Sequence, residues 1–233
     1  MFLFQGSKYF TVKIFLVSLF CMISVANASE RRPEYYYSAL DAIENNDIEA
    51  IRSLIGEGLD PNYKLGEPRN FMRLAVFYDK LDILMELLDT GGNVDHKLKG
   101  SMYFSTYIAQ KNNIKLLEPV LAKNPNLNSL MYVGQYTAFT GMLRFINEET
   151  LRYVLDNSNA DVNFRPENGL SSLYHAYDRG ECGIQCVELL LEMGANPCLE
   201  IGLSGESFLS YVKGREDIHV PKKLESYKCE NIA

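Results

Sequence analysis

The sequence predicts an all-α solenoid of about five helix-turn-helix repeats, closed by a C-terminal half-repeat. A short apolar segment is followed by Gly or Asn and then by a turn rich in Asn, Asp and Pro, and this pattern recurs. The Gly or Asn stands at Gly58, Gly91, Asn124, Asn159 and Gly194. These positions are 33, 33, 35 and 35 residues apart. A fixed period of this size is typical of stacked repeats that bury their apolar faces against each other.

The clearest copy of the pattern is residues 187–197, where an apolar helix is followed by Gly194 and by Asn196-Pro197. A glycine after a helix supplies the left-handed residue that ends it, and Asn-Pro favours a turn. In the first copy, Ile48, Ile51 and Leu54 recur at helical spacing. The pattern therefore indicates one buried stripe per helix.

Residues 169–176 read Gly-Leu-Ser-Ser-Leu-Tyr-His-Ala, and they are followed by Gly180 and by residues 187–197. This fifth copy resembles the ankyrin repeat, whose consensus reads G-x-T-P-L-H-x-A and then G-H-x-x-I-V-x-x-L-L-x-x-G-A-D-x-N. The resemblance covers roughly residues 36–213. It implies the ankyrin fold, but not a particular function, because such arrays bind partners of many kinds.

The remaining copies are degenerate, and none keeps the Thr-Pro-Leu-His tetrad. Their register depends on Ala42, Ala75 and Ala176 and on spacing. The first helix of each repeat is expected at 36–45, 71–78, 102–111, within 133–145 and at 170–178. The second helix is expected at 47–57, 81–90, 113–123, 148–157 and 184–193, and the half-repeat at 206–213. Pro119 should kink or shorten its helix, and Asn147 can cap the helix that follows it.

Residues 1–28 are expected to be a cleaved signal peptide. Lys8 and Lys13 precede the apolar run 14–23, and Ala26-Asn27-Ala28 fits an A-x-A cleavage site. An uncleaved membrane anchor is the alternative, although the run is short for a membrane span. Residues 29–35 form a short leader, 36–213 the repeat array and 214–233 a capping tail. The expected location is the periplasm.

Signal-peptide removal takes away Cys21 and leaves Cys182, Cys186, Cys198 and Cys229. An even number in an exported chain suggests disulfides. In an ankyrin repeat, Cys186 and Cys198 would lie at opposite ends of the second helix, about 12 Å apart, whereas a disulfide needs Cα atoms within about 7 Å. The preferred pairs are therefore Cys182–Cys186 and Cys198–Cys229. Cys186 could instead be a buried core thiol, and no metal site is expected because the spacing lacks a second close pair.

The sequence contains no recognisable set of catalytic residues. His96, His175 and His219 have no carboxylate or nucleophile at a known spacing, and residues 202–205 only resemble half of a nucleophile elbow. There is no phosphate-binding or dinucleotide-binding glycine motif. The protein is therefore expected to be neither an enzyme nor dependent on a cofactor.

A protein-binding surface is the expected functional site. The net charge is −7, which disfavours nucleic acid and favours a partner with a basic surface. In ankyrin arrays the hairpin tips and the exposed side of the first helices contact partners. Tyrosines in excess of the core, from a total of 15, suit such a surface, although some of them could serve as packing between repeats. The candidates are Tyr63, Lys64, Arg73, His96, Lys97, Tyr103, Tyr107, Tyr136, Phe164, Arg165, Tyr174 and Tyr177.

Export, disulfides and a binding fold together resemble the ankyrin-type immunity proteins that are paired with phospholipase effectors of type VI secretion. The resemblance implies a periplasmic protein that neutralises an antibacterial lipase or phospholipase toxin. After signal cleavage it would have no integral membrane association. The alternatives are a general periplasmic scaffold for an envelope or oxidative-stress enzyme, and a secreted effector that binds a host protein.

Overall fold

A computed structural model describes residues 35–63, 70–98, 102–131, 135–202, 205–215 and 221–229, except for the side chain of Arg179. The predicted signal peptide (1–28), all of the leader except residue 35, Lys64 and His219 lie outside the described residues. The chain divides into two units, residues 1–38 and 39–233. Of the first unit, the structure describes only residues 35–38, where the first helix begins.

Helices occur in successive pairs, and we call the first helix of each pair the A helix and the second the B helix. The A helices are α1 (Tyr36–Asn45), α3 (Phe71–Phe77), α5 (Phe104–Ala109), α7 (Ala138–Met142), α9 (Ser172–Arg179) and α11 (Phe208–Lys213). The B helices are α2 (Ile48–Gly56), α4 (Leu81–Asp89), α6 (Ile114–Leu121), α8 (Glu148–Asp156) and α10 (Ile184–Glu192). A last short helix, α12, spans Lys222–Glu225. This arrangement confirms the predicted all-α solenoid.

The core lies between the two rows of helices. Each of α3, α5 and α9 packs on the B helix that follows it, and each of the first four B helices also packs on the B helix of the next repeat. Leu84, Leu87 and Leu88, at helical spacing on α4, are 0–3% exposed. Burying an aliphatic side chain of this size contributes about 1.5–3 kcal/mol. The apolar stripe predicted from spacing therefore forms the contact between repeats.

In the first three repeats, the turn from the A helix to the B helix uses one left-handed residue. Asn46, Asp79 and Asn112 have φ of 58°, 54° and 50°, and Asn and Asp tolerate this region better than other side chains. Asn147 caps α8 as predicted, because its side chain accepts a bond from the Thr150 N–H at 2.8 Å. Asn112 then joins two repeats, since its Nδ2 donates to the Phe145 carbonyl at 3.0 Å.

Each of the first four connections between repeats contains two Asn or Asp residues, two positions apart. The first side chain accepts a bond from the N–H of the second, as Asn126 does from Asn128 at 3.1 Å. The second side chain accepts from the next repeat, as Asn128 does from the Asp161 N–H at 2.9 Å. Its amide also donates onward, from Asn128 to the Asn159 carbonyl at 3.0 Å. One side chain thus fixes the position and orientation of the following turn.

We call the bonds between repeats made by Asn62, Asp95, Asn128 and Asn163 the hairpin ladder. Asn62 and Asn163 repeat the geometry of Asn128, accepting from Asn93 and Asn196 and donating to the Gly91 and Gly194 carbonyls. Asp95 accepts from the Asn126 N–H at 2.9 Å, but a carboxylate has no N–H to donate to the corresponding carbonyl of Asn124. The ladder is weakest at this step.

Repeat four departs from the regular pattern. Strand β1 (Leu130–Met131) pairs antiparallel with β2 (Tyr136–Thr137), with Leu130 opposite Thr137. Thr137 and Thr140 form a reciprocal capping box at the start of α7. Gly141 lies over Met131, and a Cβ at this position would collide with the Met131 methyl group. A side chain at position 141 would therefore require the Met131 side chain to move.

The C-terminal end of the array is held by the tail. Cys182 is bonded to Cys186 and Cys198 to Cys229, each with a Cα–Cα distance of 5.5 Å, and these are the pairs predicted from the sequence. Cys186 is also fully buried, so it serves as a core residue as well. Cys198 occupies the position that Asn128 and Asn163 hold in earlier repeats, so the hairpin ladder ends in a disulfide.

Helix α12 packs on α10 and buries Leu224 completely. Lys223 Nζ lies 2.8 Å from the Glu192 carboxylate, and this hydrogen bond is the main reason that the pKa of Glu192 is lowered. Lys213 Nζ donates to the Tyr227 carbonyl at 3.0 Å. Among the described residues, no helix combines the length and apolar character needed to cross a bilayer.

The hairpin ladder predicts opposite effects for two substitutions. Asn128→Ala removes the acceptor for Asp161 and the donor to Asn159, so it should lower the free energy of unfolding by about 1–3 kcal/mol. Asp95→Asn adds a donor facing the Asn124 carbonyl and should raise that free energy by about 0.5 kcal/mol. Urea unfolding followed by circular dichroism measures both. Asn45→Ala, which removes bonds only to Asp41 within α1, is the control, and equal midpoints for all three would contradict the ladder.

The second disulfide predicts that the stability of the fold depends on the oxidation of Cys198 and Cys229. Cys198 and Cys229 are 31 residues apart, and on the chain-entropy model their bond stabilises the fold by about 3–4 kcal/mol. Cys198→Ser/Cys229→Ser should therefore lower the unfolding midpoint. Non-reducing alkylation and mass spectrometry of the protein from its own organism should find neither cysteine labelled. Full labelling of both in the native protein would show that the bond does not form.

Candidate protein-binding surface

The A helices carry a row of rings and cations on their exposed side, which we call the A-helix face. The Arg73 guanidinium carbon lies 4.6 Å from the centroid of the Tyr107 ring, so it bridges α3 and α5. One turn further along, Lys111 Nζ lies 5.6 Å from the centroid of Phe77. A cation over a ring is attracted by the ring quadrupole and keeps its hydrogen-bond donors. The rings therefore hold these long side chains in place without neutralising them.

At the centre of the face, Tyr136 approaches from strand β2. Its ring lies 5.0 Å from that of His175 and 6.0 Å from the Arg144 guanidinium carbon. Arg144 is exposed and also lies 5.5 Å from the Phe145 ring. His175 is fully buried beneath these groups, as expected for a polar residue packed between helices.

The row continues through rings onto the last A helix. The ring centroid of Tyr174 lies 5.5 Å from that of Tyr211. The ring centroid of Tyr177 lies 5.7 Å from that of Phe208 and 6.3 Å from that of Tyr211. Tyr174 and Tyr177 are both half-buried, so each packs between repeats and also presents an edge to solvent. Arg215 donates from Nη1 to the Tyr211 hydroxyl at 2.6 Å.

Tyr103, another candidate, is only 6% exposed. It is the N-terminal capping residue of α5, and its N–H donates to the Met131 sulfur at 3.4 Å. Lys97 covers its ring at 5.1 Å. Tyr103 thus supports the surface from below, whereas Tyr107, one turn later, lies in the surface.

The remaining candidates lie in the connections between repeats. Tyr63 and His96 are half-buried and Lys97 is exposed. Phe164 is half-buried beside Arg165, whose Nε donates to the Gly169 carbonyl at 3.4 Å and whose Nη2 donates to the Gly202 carbonyl at 3.3 Å. Arg165 therefore ties two successive connections together.

Sequence reasoning missed Phe77, Lys111, Arg144 and Tyr211. The signal that finds them is the distance from the residue that caps each A helix: Asn70, Tyr103, Thr137 and Ser207. Tyr107 and Tyr211 stand four positions after the cap, Phe77 and Arg144 seven, and Lys111 eight. Counting from the cap places residues on one face even where the repeat consensus has degenerated.

Charge is divided between the two rows of helices. Helices α3, α5 and α7 contain no Asp or Glu, whereas the five B helices contain ten acidic residues and three basic ones. Most of the acidic charge of the described helices therefore lies on the B helices, and α1 also carries Asp41 and Glu44. The centre of the A-helix face is cationic.

Cations on the B-helix side are largely paired. Arg52 contacts Glu49 at 2.7 Å and Glu86 at 2.9 Å, and Lys123 contacts Asp89 at 2.8 Å. The hydrogen bond to Glu86 is the main reason that the pKa of Arg52 is raised. These exposed pairs link neighbouring B helices and add little stability individually. Within the described ranges, no group of three His, Cys, Asp or Glu side chains could hold a metal ion.

Comparison with solved structures identifies the fold. An ankyrin repeat domain from Acinetobacter baumannii AYE is 23% identical, with a TM-score of 0.65 over 78% of this chain and 92% of its own. The ankyrin repeat domain of Bcl-3, a member of the IκB family, is 21% identical, with a TM-score of 0.65 over 76% and 80%. The chain has the ankyrin-repeat fold. No family model and no curated protein matches the sequence.

Ankyrin repeats generally mediate protein-protein interaction, and the fold is typically a non-enzymatic scaffold. In this ankyrin array, the row of rings and cations follows the A helices through repeats two to five and onto α11. The connections that carry Lys97 and Arg165 border it.

The contacts of Arg165 predict a structural role. Arg165→Ala should lower the free energy of unfolding by about 1 kcal/mol, because two carbonyls lose a charged donor. Arg165→Lys keeps the charge but loses the planar fork, so it should recover only part of this loss. Thermal unfolding followed by circular dichroism measures both variants. A melting temperature unchanged in Arg165→Ala would assign the side chain to partner contact alone.

Proposed function

We propose that this protein binds another protein through the A-helix face and the connections beside it. The observation that carries the proposal is the ordered row of rings and cations on that face. Tyr and Arg are the residue types that contribute most to interface energies, and here their rotamers are already restricted by mutual contact. Less entropy is therefore lost when a partner binds. We also propose that the chain has no enzymatic activity of its own.

We further propose that the partner is an antibacterial toxin with a lipase or phospholipase activity, and that the protein is its periplasmic immunity protein. The predicted signal peptide supports export. The bonds Cys182–Cys186 and Cys198–Cys229 suit an oxidising compartment. A rigid binding scaffold without catalytic groups suits an inhibitor.

The proposed mechanism is occlusion. The A-helix face would cover the entrance to the toxin's active site or hold its lid closed, over a standard interface of roughly 1,600 Å². The net charge of −7 would attract a toxin with a basic surface at long range and speed association. Phe164 and Arg165 remain predicted contacts at the edge of this interface.

Capture of the partner tests the proposal. Tagged protein expressed in its own organism and purified from the periplasm should bring down one stoichiometric toxin or hydrolase. Phe77→Ala removes a ring that is 58% exposed on the A-helix face, so it should weaken the interaction about tenfold. Met85→Ala, at 44% exposure on a B helix, is the matched control and should bind normally.

Titration of the purified partner by calorimetry gives the affinities, and circular dichroism checks folding. Capture of a broad set of envelope proteins would replace the immunity function by a scaffold function. Equal loss in Phe77→Ala and Met85→Ala would place binding elsewhere than on the A-helix face.

A further inference from the structure

Two cations at the centre of the A-helix face differ from those on the B-helix side. No described residue places a carboxylate oxygen within 4.0 Å of Lys111 Nζ or of the Arg144 guanidinium. Both side chains are exposed, and both rest on rings: Lys111 on Phe77, and Arg144 on Phe145 and Tyr136. Their donors remain directed to solvent, so their charge is available to a ligand.

The two cations are neighbours across the boundary between repeats three and four. Asn112, next to Lys111, donates to the carbonyl of Phe145, next to Arg144, at 3.0 Å. Asn147 N–H returns a bond to Asn112 Oδ1 at 2.9 Å. These reciprocal bonds fix the relative position of the two backbone segments. Lys111 Nζ lies over Phe77 of repeat two, whereas the Arg144 guanidinium lies over rings of its own repeat, so the two charges are spaced along the face.

Helix ends explain part of this placement. Lys111 and Arg144 each lie two residues beyond the last residue of an A helix, where a cation is favoured by the helix dipole. The dipole does not explain why the adjacent Phe77, Phe145 and Tyr136 rings support the cations, nor why α3, α5 and α7 lack acidic residues. Both features keep the charge of the pair from being neutralised within the chain.

We infer that Lys111 and Arg144 form a carboxylate-binding pair, which takes two acidic side chains of an extended segment of the partner protein. The inference rests on the proposed binding function. In an extended chain, residues four positions apart point to the same side and span about 13 Å, so one segment can carry two carboxylates spaced along the face. The guanidinium of Arg144 can hold a carboxylate with two parallel hydrogen bonds, while the rings beneath contact the apolar part of the segment. The surface of the partner is thus basic overall, and the segment that contacts Lys111 and Arg144 is acidic.

A peptide titration tests the pair directly. The probe is a fluorescent peptide of alternating Glu and Gly, titrated with the full-length expressed protein at low salt and followed by anisotropy. Lys111→Glu/Arg144→Glu should weaken binding about tenfold, as expected for two exposed ion pairs. Lys111→Arg/Arg144→Lys keeps both charges and one planar fork, so it should lose much less affinity than the double Glu variant. Lys115→Glu/Lys222→Glu changes the net charge equally at exposed positions off this face, and it should also bind normally.

The other outcomes would overturn the inference. They are absence of peptide binding to the unmodified protein, equal loss in the Lys115→Glu/Lys222→Glu control, tighter binding of a Lys-Gly peptide, and equal binding of single-stranded DNA through the same two residues. Circular dichroism melts show whether each variant is folded.

Partner capture separates this inference from the proposed function. If Lys111→Glu/Arg144→Glu captures the same toxin with unchanged affinity, the carboxylate-binding pair is wrong and the binding function stands. If the unmodified protein captures no partner, the binding function fails, and the peptide titration still decides the pair.

Discussion

No helix pair in this chain buries its apolar face alone, so the structure depends on how each repeat is held against the next. The hairpin ladder provides that constraint, because Asn62, Asp95, Asn128 and Asn163 bond to the backbone of the following turn. Apolar contact between helices is non-directional and tolerates sliding, whereas these hydrogen bonds fix distance and angle. The regular spacing of the A helices, and hence of the row of rings and cations on them, follows from the ladder.

In the described residues, the hairpin ladder ends at Cys198. Here Cys198 replaces the Asn that would have reached for another repeat, and its bond to Cys229 brings the tail back to the same place. Helix α12 then covers the exposed end of α10 with Leu224. The covalent bond acts where a terminal repeat would otherwise fray.

The sequence predicted features that depend on local chemistry and on period. Helix positions agree within a few residues, since apolar spacing and capping residues such as Asn147 act locally. The pairs Cys182–Cys186 and Cys198–Cys229 follow from the length of one helix. The surface was harder to predict, because neighbouring tyrosines differ in depth according to their distance from the helix cap. Tyr103 at the cap is buried and Tyr107 is not. Lys111 and Arg144 belong to no motif and become recognisable only when neighbouring A helices are aligned.

Net charge is the other quantity that sequence alone misrepresents. A value of −7 describes the field far from the protein, where all charges add and the sign is negative. At contact distance, screening over about 8 Å at physiological salt leaves only the nearest charges, and on the central A helices these are cations. A partner can therefore be attracted through its basic regions and still bind through an acidic segment. Long-range attraction and local complementarity are set by different residues, and in a solenoid the two helix rows allow each to vary separately.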